Sequence, residues 1–332
     1  MEEQLVQREG IPFESIPAAG VHGVGLRALP GNVLRLARGL SKSRRILKTF
    51  NPDVLFFTGG FVAAPMALAA RWPASGRKRP RSLVYVPDIE PGWALRALAH
   101  LADHVALTVE DSQAFLPRKV GRTVSGYPLR KNLEKWDKAA ASQALGLQAD
   151  LPVFLVWGGS KGARSINQAL FEALPQLLPD MQVVHISGQN AWQQALQVKQ
   201  DLPVGLSGRY YLYAYLHGEM NAALASADLV LSRAGASSLG EYPFFGLPAV
   251  LVPYPYAWRY QKVNADYLVQ RGAAFLLPDA DLGQNLLPTI RSLMADQPRR
   301  QAMSQAMHSL ARPDAAATIA GLLRTMSTQE MS

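Results

Sequence analysis

Two glycine-rich turns in the second half of the chain constrain its fold more than any other feature. The first reads GGSKGAR from Gly158 and follows an apolar run, Val153–Trp157. The second reads SRAGASSLGE over Ser232–Glu241 and follows Leu229-Val230-Leu231. A strand that turns at glycine into a helix presents unpaired backbone N–H groups and the positive end of the helix dipole to an anion. One such turn alone is a weak indication, but two together predict phosphate binding.

A carboxylate accompanies the second turn. Glu241 comes six residues after Gly235, which predicts a position one to two turns into the following helix. A carboxylate there can accept hydrogen bonds from vicinal hydroxyls such as those of a ribose. Two phosphate turns and a diol acceptor together indicate a nucleoside diphosphate sugar as ligand.

The composition indicates a globular chain of two domains. A chain of 332 residues exceeds one hydrophobic core of ordinary size, and 48% of it is hydrophobic against 18% charged. It contains no cysteine, which excludes thiolate chemistry and allows a reducing, cytoplasmic setting. No apolar stretch reaches the roughly 18 to 20 residues of a transmembrane helix, and Met1-Glu2-Glu3 is acidic where a signal peptide is basic. We therefore expect a protein that is not integral to a membrane.

Short apolar runs alternate with helical patterns along the chain. The predicted strands are Val54–Thr58, Ser82–Val86, His104–Thr108, Thr123–Ser125, Val153–Trp157, Gln182–Ser187, Tyr210–Tyr213, Leu229–Leu231, Ala249–Val252 and Ala274–Leu277. This alternation predicts an α/β fold of two doubly wound, Rossmann-like domains. The predicted division is a first domain over residues 1–135, a second over 136–312, and a C-terminal helix and tail over 313–332. A ligand is expected between the domains, at the carboxyl ends of the strands.

The excess of positive charge lies in the first half of the chain. Residues 1–140 contain 21 Lys plus Arg and 12 Asp plus Glu, whereas residues 141–332 contain 13 of each. Helical spacing within residues 27–48 places Arg35, Arg38, Lys42 and Arg45 on one face. This face is interpreted either as an ordinary solvated face or as a contact with anionic lipid headgroups. Nucleic acid is not expected as a partner, because no recognition motif accompanies the charge.

Spaced motifs extend over nearly the whole chain. In order they are Asn51–Val54, Thr58–Val62, Gly126–Arg130, GGSKGAR, Arg233–Glu241, Gly246–Ala249, and Gln261 with Asn264-Ala265. On these motifs the chain resembles the MurG family of glycosyltransferases. The resemblance implies the two-domain GT-B fold and transfer of N-acetylglucosamine from UDP-N-acetylglucosamine (UDP-GlcNAc) to an undecaprenyl-linked muramoyl-pentapeptide, with inversion. It also implies a peripheral location at an anionic membrane surface, on the cytoplasmic face of the bacterial cell membrane.

The same resemblance implies roles for particular residues. The expected donor-binding set is Arg130, Ser160, Leu216, Arg233, Ala236, Ser237, Ser238, Leu239, Gly240, Glu241 and Gln261. In it, Glu241 would bind the ribose, Gln261 the sugar hydroxyls, and the backbone near Leu216 the uracil, while the others surround the diphosphate. Gly59 and Gly60 would face the pyrophosphate of the acceptor lipid.

The catalytic base is left open. The family pattern begins with a glycine loop ending in histidine, GGTGGH, and this sequence starts at Met1, after the corresponding point, so the first domain is expected to be incomplete at its N-terminus. None of the six histidines matches that position, and Asp88 stands where the family usually has Asn. Asp88 is therefore the one candidate acid. Two alternatives are a non-catalytic or split donor-binding protein that needs a partner, and a related glycosyltransferase with another lipid-linked acceptor.

No metal or other cofactor is expected, and UDP-GlcNAc would enter as a substrate. Helix N-termini and Arg130 can compensate the charge that grows on the leaving diphosphate. The chain contains one Asp-x-Asp, Asp279-Ala280-Asp281, which is interpreted as helix capping and not as a metal site.

Overall fold

The first of two parallel sheets occupies the first part of the chain. The computed structural model describes residues 2–18, 29–59, 62–72, 78–130, 133, 136–159, 162–255 and 260–328. In these ranges the first sheet consists of β1 (Val54–Phe57), β2 (Arg81–Val86), β3 (His104–Leu107) and β4 (Gly121–Val124). The strands follow one another in the order β1-β2-β3-β4, and every pair is parallel. Each connection therefore crosses over a face of the sheet.

The second sheet places the two glycine turns side by side. It consists of β5 (Val153–Trp157), β6 (Gln182–Ile186), β7 (Tyr210–Tyr213), β8 (Leu229–Ser232), β9 (Ala249–Leu251) and β10 (Ala274–Leu276). The order is β10-β9-β8-β5-β6-β7, so the direction of winding reverses between β5 and β8. A crevice opens outside the carboxyl ends of the strands at such a reversal. One glycine turn follows β5 and the other follows β8, so both lie at this crevice.

Helices cover the sheets on both faces. They are α1 (Glu2–Arg8), α2 (Leu29–Phe50), α3 (Ala63–Arg71), α4 (Trp93–Leu101), α5 (Lys138–Ala144), α6 (Arg164–Leu177), α7 (Trp192–Asp201), α8 (Met220–Ser226), α9 (Glu241–Phe245), α10 (Tyr260–Gln270), α11 (Leu282–Ala295), α12 (Gln297–His308) and α13 (Ala315–Thr328). Alternate residues of β5 lie on opposite faces of the second sheet. Phe154 and Val156 lie in the core with α6 and α11, whereas Val153 and Leu155 lie in the core with α5 and α8.

Helix α13 returns from the second sheet to the first. Ile319 and Met326 pack in one cluster with Leu83, Tyr85 and Ala106 of β2 and β3. The crossing chain lies so close to the end of β4 that a Cβ at Gly126 would be 2.6 Å from Cβ of Arg312. Gly126 also has φ +95°, so only glycine fits this position comfortably.

Helix α2 buries one narrow stripe and exposes its basic face. Ser43 is fully buried, and a Cβ at Gly39 would lie 2.1 Å from the Pro17 carbonyl oxygen. Arg35 and Arg38 are exposed. No described helix is long and apolar enough to cross a bilayer.

All ten predicted strands are confirmed, as is the doubly wound α/β fold. The boundaries predicted at 135/136 and 312/313 stay predictions; the first falls between β4 and β5. A 3-10 turn, Glu110–Phe115, connects β3 and β4.

Candidate active site

The first glycine turn is shaped by close backbone packing. A Cβ at Gly158 would lie 2.2 Å from Ala163 N, and a Cβ at Gly162 would lie 2.6 Å from the Ser187 carbonyl oxygen. Gly159 and Gly162 also have φ of +85° and +75°. Glycine is thus required for the tight bend and for the approach of α6 to the strand beside it. The predicted turn and helix are both present, and Ser160 lies outside the described residues.

The second turn departs from the predicted single helix. Ala236–Leu239 forms a 3-10 turn, and α9 begins separately at Glu241, after a break at Gly240 (φ −127°, ψ −52°). Ser238 N–H donates to the Gly235 carbonyl oxygen at 3.0 Å, which closes the first turn. The amides of Ala236 and Ser237 precede this closure, as anion-binding amides do at a helix start. A Cβ at Gly235 would meet nothing within 4 Å, so space beside the backbone is open.

A buried tyrosine joins the two turns. Trp157 Nε1 at the end of β5 donates to the Tyr242 hydroxyl at 2.8 Å, and this hydroxyl lies 2.6 Å from Ser232 Oγ at the end of β8. Ser232 Oγ in turn donates to the Arg233 carbonyl oxygen at 3.0 Å. Because Trp157 can only donate, the chain of bonds runs from Trp157 through Tyr242 to Ser232. The fully buried Tyr242 ring therefore fixes the spacing of the turns.

The two carboxylate oxygens of Glu241 differ: one forms an ion pair and the other has no hydrogen-bond partner among the described residues. Its side chain is 2% exposed, and Oε1 lies 2.9 Å from Arg130 Nε. Oε2 is buried and has no hydrogen-bond partner among the described residues. Burial raises the pKa of this carboxyl, and the charge of Arg130 opposes the rise. A buried acceptor without a partner is costly, and a ligand hydroxyl at Oε2 would satisfy it.

The first domain touches the second turn at two places. A Cβ at Gly240 would lie 2.6 Å from Tyr127 Cβ, so Tyr127 packs directly on the break before α9. Asp88, which follows β2, accepts a hydrogen bond from Asn264 Nδ2 at 2.8 Å. Burial raises the pKa of the Asp88 carboxyl, and the Asn264 bond works against the rise. The contact between the domains thus brings together Asp88, Tyr127 and the second turn.

Arg233 and Asp279 support the site from inside the second domain. The Arg233 guanidinium donates to Asp279 Oδ1 at 2.5 Å, to Ser165 Oγ at 2.9 Å and to the Val252 carbonyl oxygen at 3.1 Å. It also stacks over Tyr254. The interpretation of Asp279-Ala280-Asp281 as capping is confirmed in position only: Asp281 is the N-cap residue of α11, but neither the Asp279–Asp281 turn nor α11 has a side-chain capping bond. Asp279 is instead the ion-pair partner of Arg233.

The remaining predicted residues lie around the crevice. Gln261 Oε1 accepts from Tyr254 N–H at 2.8 Å, and Leu216 is buried. Gly59 has φ +114° and packs near Leu95, and its predicted companion Gly60 lies outside the described residues. Within the described ranges no three His, Asp or Glu side chains are grouped to hold a metal ion. The roles assigned to individual residues stay predictions.

The basic face of α2 lies away from this crevice, beside a separate cavity. Lys42 forms an ion pair with Glu14 at 2.9 Å, an acid outside the segment from which the face was predicted. A cavity of about 450 Å³ next to α2 is lined by Arg44, Arg45, Lys48, Lys78 and Trp72, among others. Four cationic side chains therefore line this cavity together with apolar residues such as Leu47, Ala69 and Ala70.

Sequence reasoning missed the residues that join the parts of the site. Tyr242, Tyr127 and Asn264 received no role from the pattern, although Tyr127 and Asn264 occur in motifs that were recognised. Tyr242 directly follows Glu241 in a segment predicted as helix, and a polar-tipped aromatic in a buried segment needs a partner for its hydroxyl. The need for such a partner was the sequence signal that could have identified Tyr242.

Two glycine turns at the reversal point of one Rossmann-like sheet, with a second such domain packed against it, are the arrangement of the GT-B fold of glycosyltransferases. Residues 153–319 match the glycosyltransferase family 28 C-terminal domain, and residues 1–77 match the glycosyltransferase family 28 N-terminal domain. The chain belongs to glycosyltransferase family 28 and, within it, to the MurG family.

Relatives and solved structures agree with this assignment. The UDP-N-acetylglucosamine–N-acetylmuramyl-(pentapeptide) pyrophosphoryl-undecaprenol N-acetylglucosamine transferase of Roseiflexus sp. is 40% identical over 98% of this chain and 81% of its own length. The enzyme of the same name from Desulforamulus reducens is 35% identical over 96% of this chain and 86% of its own. The crystal structure of Acinetobacter baumannii MurG has the same fold, with a TM-score of 0.74, 24% identity, and coverage of 98% of this chain and 88% of that one.

Proposed function

We propose that this chain transfers N-acetylglucosamine from UDP-GlcNAc to undecaprenyl-pyrophosphoryl-MurNAc-pentapeptide, the reaction that the names of its relatives describe. The observation that carries the proposal is the buried, unpartnered Oε2 of Glu241 beside a turn with phosphate-binding geometry. A nucleoside diphosphate has ribose hydroxyls that donate to the carboxylate and phosphate oxygens that accept from the turn. Both features are thereby explained by one ligand.

The proposed reaction is an inverting displacement at the anomeric carbon of the donor sugar. The acceptor hydroxyl forms the new C–O bond while the bond from this carbon to the UDP oxygen breaks. The electron pair of the broken bond leaves with UDP, so negative charge grows on the diphosphate. Amides of the two turns and the Arg130 guanidinium would stabilise that charge, because dipoles fixed in advance need no reorganisation during the reaction.

Asp88 is the proposed base for the acceptor hydroxyl. Its Oδ1 and the Ala234 carbonyl oxygen accept hydrogen bonds from the same Asn264 nitrogen, which places the carboxylate beside the second turn. Burial raises its pKa and so makes it a stronger base than an exposed aspartate. Asp88→Asn keeps the shape and an acceptor oxygen but loses basicity. We expect the transfer rate to fall about 10²- to 10⁴-fold with unchanged UDP affinity; an unchanged rate would exclude Asp88 as the base.

Donor binding is tested by calorimetric titration with UDP-GlcNAc and with UDP-glucose. We expect saturable binding that prefers UDP-GlcNAc. In Glu241→Ala one charged hydrogen bond to the ribose is lost, and the affinity should fall on the order of 10- to 100-fold. Glu172→Ala, which removes a carboxylate exposed on α6, serves as the matched control and should bind like the wild type. Absence of binding to either nucleotide by the folded wild type would contradict the proposal.

We also propose that the basic face of α2 contacts anionic lipid at the cytoplasmic face of the membrane. Arg35, Arg38 and Arg45 are exposed on it, and Arg44, Lys48 and Lys78 around the cavity beside α2 add further positive charge. Each basic residue near such a surface contributes on the order of 1 kcal/mol. Arg38→Glu should therefore weaken sedimentation with phosphatidylglycerol vesicles by about five-fold or more. Lys199→Glu, on α7 of the other domain, changes the net charge equally and should not weaken it.

A further inference from the structure

Asn264 connects the two domains through a fully buried side chain. It lies in α10 of the second domain and is 0% exposed. Its Oδ1 accepts from Ile89 N–H at 3.1 Å, and its Nδ2 donates to Asp88 Oδ1 at 2.8 Å and to the Ala234 carbonyl oxygen at 3.1 Å. Asp88 and Ile89 belong to the loop after β2, and Ala234 immediately precedes the glycine of the second turn. One carboxamide therefore holds a loop of the first domain and the phosphate turn of the second.

The chemistry of these partners allows one arrangement. A backbone N–H can only donate and a backbone carbonyl can only accept, so Ile89 and Ala234 fix which end of the Asn264 carboxamide faces which domain. The Nδ2 group then has one hydrogen left, and Asp88 accepts it. Both N–H groups of the buried amide donate and its oxygen accepts one bond, and a shift of the loop relative to the turn would break at least one of these three bonds.

A second contact between the same elements lies close by. A Cβ at Gly92 would be 3.2 Å from the hydroxyl oxygen of Tyr260, the first residue of α10. The loop between β2 and α4 therefore meets α10 at both ends, at Asp88-Ile89 and at Gly92. The two contacts define the position of this loop in two places, which restricts both sliding and rotation of the loop against α10.

We propose that Asn264 is a positioning residue. It holds the loop of the first domain that contains Asp88 in a fixed position relative to the donor phosphate turn of the second domain. We name Asp88, Ile89, Ala234 and Asn264 the interdomain latch. The inference rests on the proposed glycosyl transfer, in which a hydroxyl bound on one side of the cleft must meet an anomeric carbon bound on the other. A misplacement of about 1 Å between reacting groups lowers a rate by roughly 100-fold. The interdomain latch fixes the distance between the two reacting groups.

A matched pair of variants tests the proposal. Gln182 at the start of β6 is also 0% exposed, and its carboxamide accepts from Gln148 N–H and donates to the Gln148 and Leu151 carbonyl oxygens. It therefore has the same number of bonds as Asn264, all within the second domain, at the opposite end of the sheet. Asn264→Leu and Gln182→Leu both remove such an amide, so a purely structural role predicts equal losses of transfer rate for both.

Two measurements on the whole chain distinguish a positioning role of Asn264 from a purely structural one. Hydrogen exchange of the Ile89 amide should become at least about ten-fold faster in Asn264→Leu, because its acceptor is lost, and stay unchanged in Gln182→Leu. The transfer rate should fall roughly 100-fold in Asn264→Leu with UDP affinity within about three-fold of the wild type, and Gln182→Leu should transfer normally. Equal Ile89 exchange, or equal rate losses in both variants, would overturn the proposal.

Further variants cover the remaining possibilities. If Asn264→Leu does not fold, Asn264→Ala removes the same three hydrogen bonds without adding bulk. It should speed Ile89 exchange and slow transfer as Asn264→Leu does, and normal transfer would overturn the latch. Asp88→Asn keeps an acceptor for Asn264 and should leave Ile89 protected. If the wild type binds UDP but transfers nothing, the proposed function fails, whereas the Ile89 exchange rates still report on the latch.

Discussion

The stability of the second domain is predicted to fall in mild acid because of His185. This side chain is 0% exposed, with Nδ1 2.7 Å from the Tyr210 hydroxyl and Nε2 3.1 Å from Asn167 Oδ1. Asn167 Nδ2 donates to the Ser187 carbonyl oxygen, so Asn167 must accept from His185, which carries its proton on Nε2. Burial lowers the pKa of His185 to about 3, because no carboxylate compensates a charge there.

The direction and the size of the change in stability follow from this pKa. In the unfolded chain the histidine binds a proton below about pH 6.5, whereas the folded chain does so only near pH 3, so stability falls as the pH drops between these values. Each pH unit between these two values lowers the free energy of unfolding by about 1.4 kcal/mol. From pH 7.5 to 5.0 the loss due to His185 is therefore about 2 kcal/mol.

Urea denaturation at both pH values measures this loss. In His185→Gln the amide can donate to Asn167 and accept from Tyr210 but does not titrate between pH 5 and 7.5. The wild type should lose about 2 kcal/mol more than this variant between the two pH values. An equal pH dependence of the two proteins would refute the reasoning, since it would mean that folding does not change the proton affinity of His185.

Two further predictions concern the turns. Tyr242→Phe removes the acceptor of Trp157 Nε1 and one of the two hydrogen bonds of Ser232 Oγ, and it should cost about 1 to 3 kcal/mol in thermal or urea unfolding. Tyr211→Phe, which loses an exposed bond to the Gly146 carbonyl oxygen, should change stability by under about 0.5 kcal/mol. Gly162→Ala should destabilise by at least about 1 kcal/mol and weaken UDP binding, because φ is +75° and the Cβ would press on a carbonyl; Gly283→Ala, in open space on α11, should be neutral or stabilising. A neutral Tyr242→Phe or Gly162→Ala would contradict these packing arguments.

The parts of the fold that were predictable are those encoded locally. All ten strands are short apolar runs, and alternation of such runs with helical patterns dictates parallel sheets. The glycines at 158 and 162 were recognisable because tight turns and close helix packing require the absence of a side chain. The neighbouring position of the two turns then followed from the general rule for ligand sites in open sheets.

The contacts that assemble the site could not be predicted in the same way. Asn264 and Asp88 are separated by 176 positions, and nothing near either residue specifies the other. Arg233 was expected at the diphosphate, but the fold places Asp279 within reach of its guanidinium. The break at Gly240, which splits the predicted helix, coincides with the packing of Tyr127 from the other domain. These features depend on tertiary placement, which overrides local preference.

The central claim is glycosyl transfer, and its most direct test is the movement of labelled sugar between donor and lipid. The chain is incubated with UDP-GlcNAc labelled in the sugar and with undecaprenyl-pyrophosphoryl-MurNAc-pentapeptide in detergent, and the lipid product is separated by chromatography. We expect label to enter the lipid with one UDP released per sugar transferred, and we expect Asp88→Asn to abolish nearly all of this transfer. Saturable donor binding without any label in the lipid would contradict the account and favour a donor-binding protein that needs a partner chain.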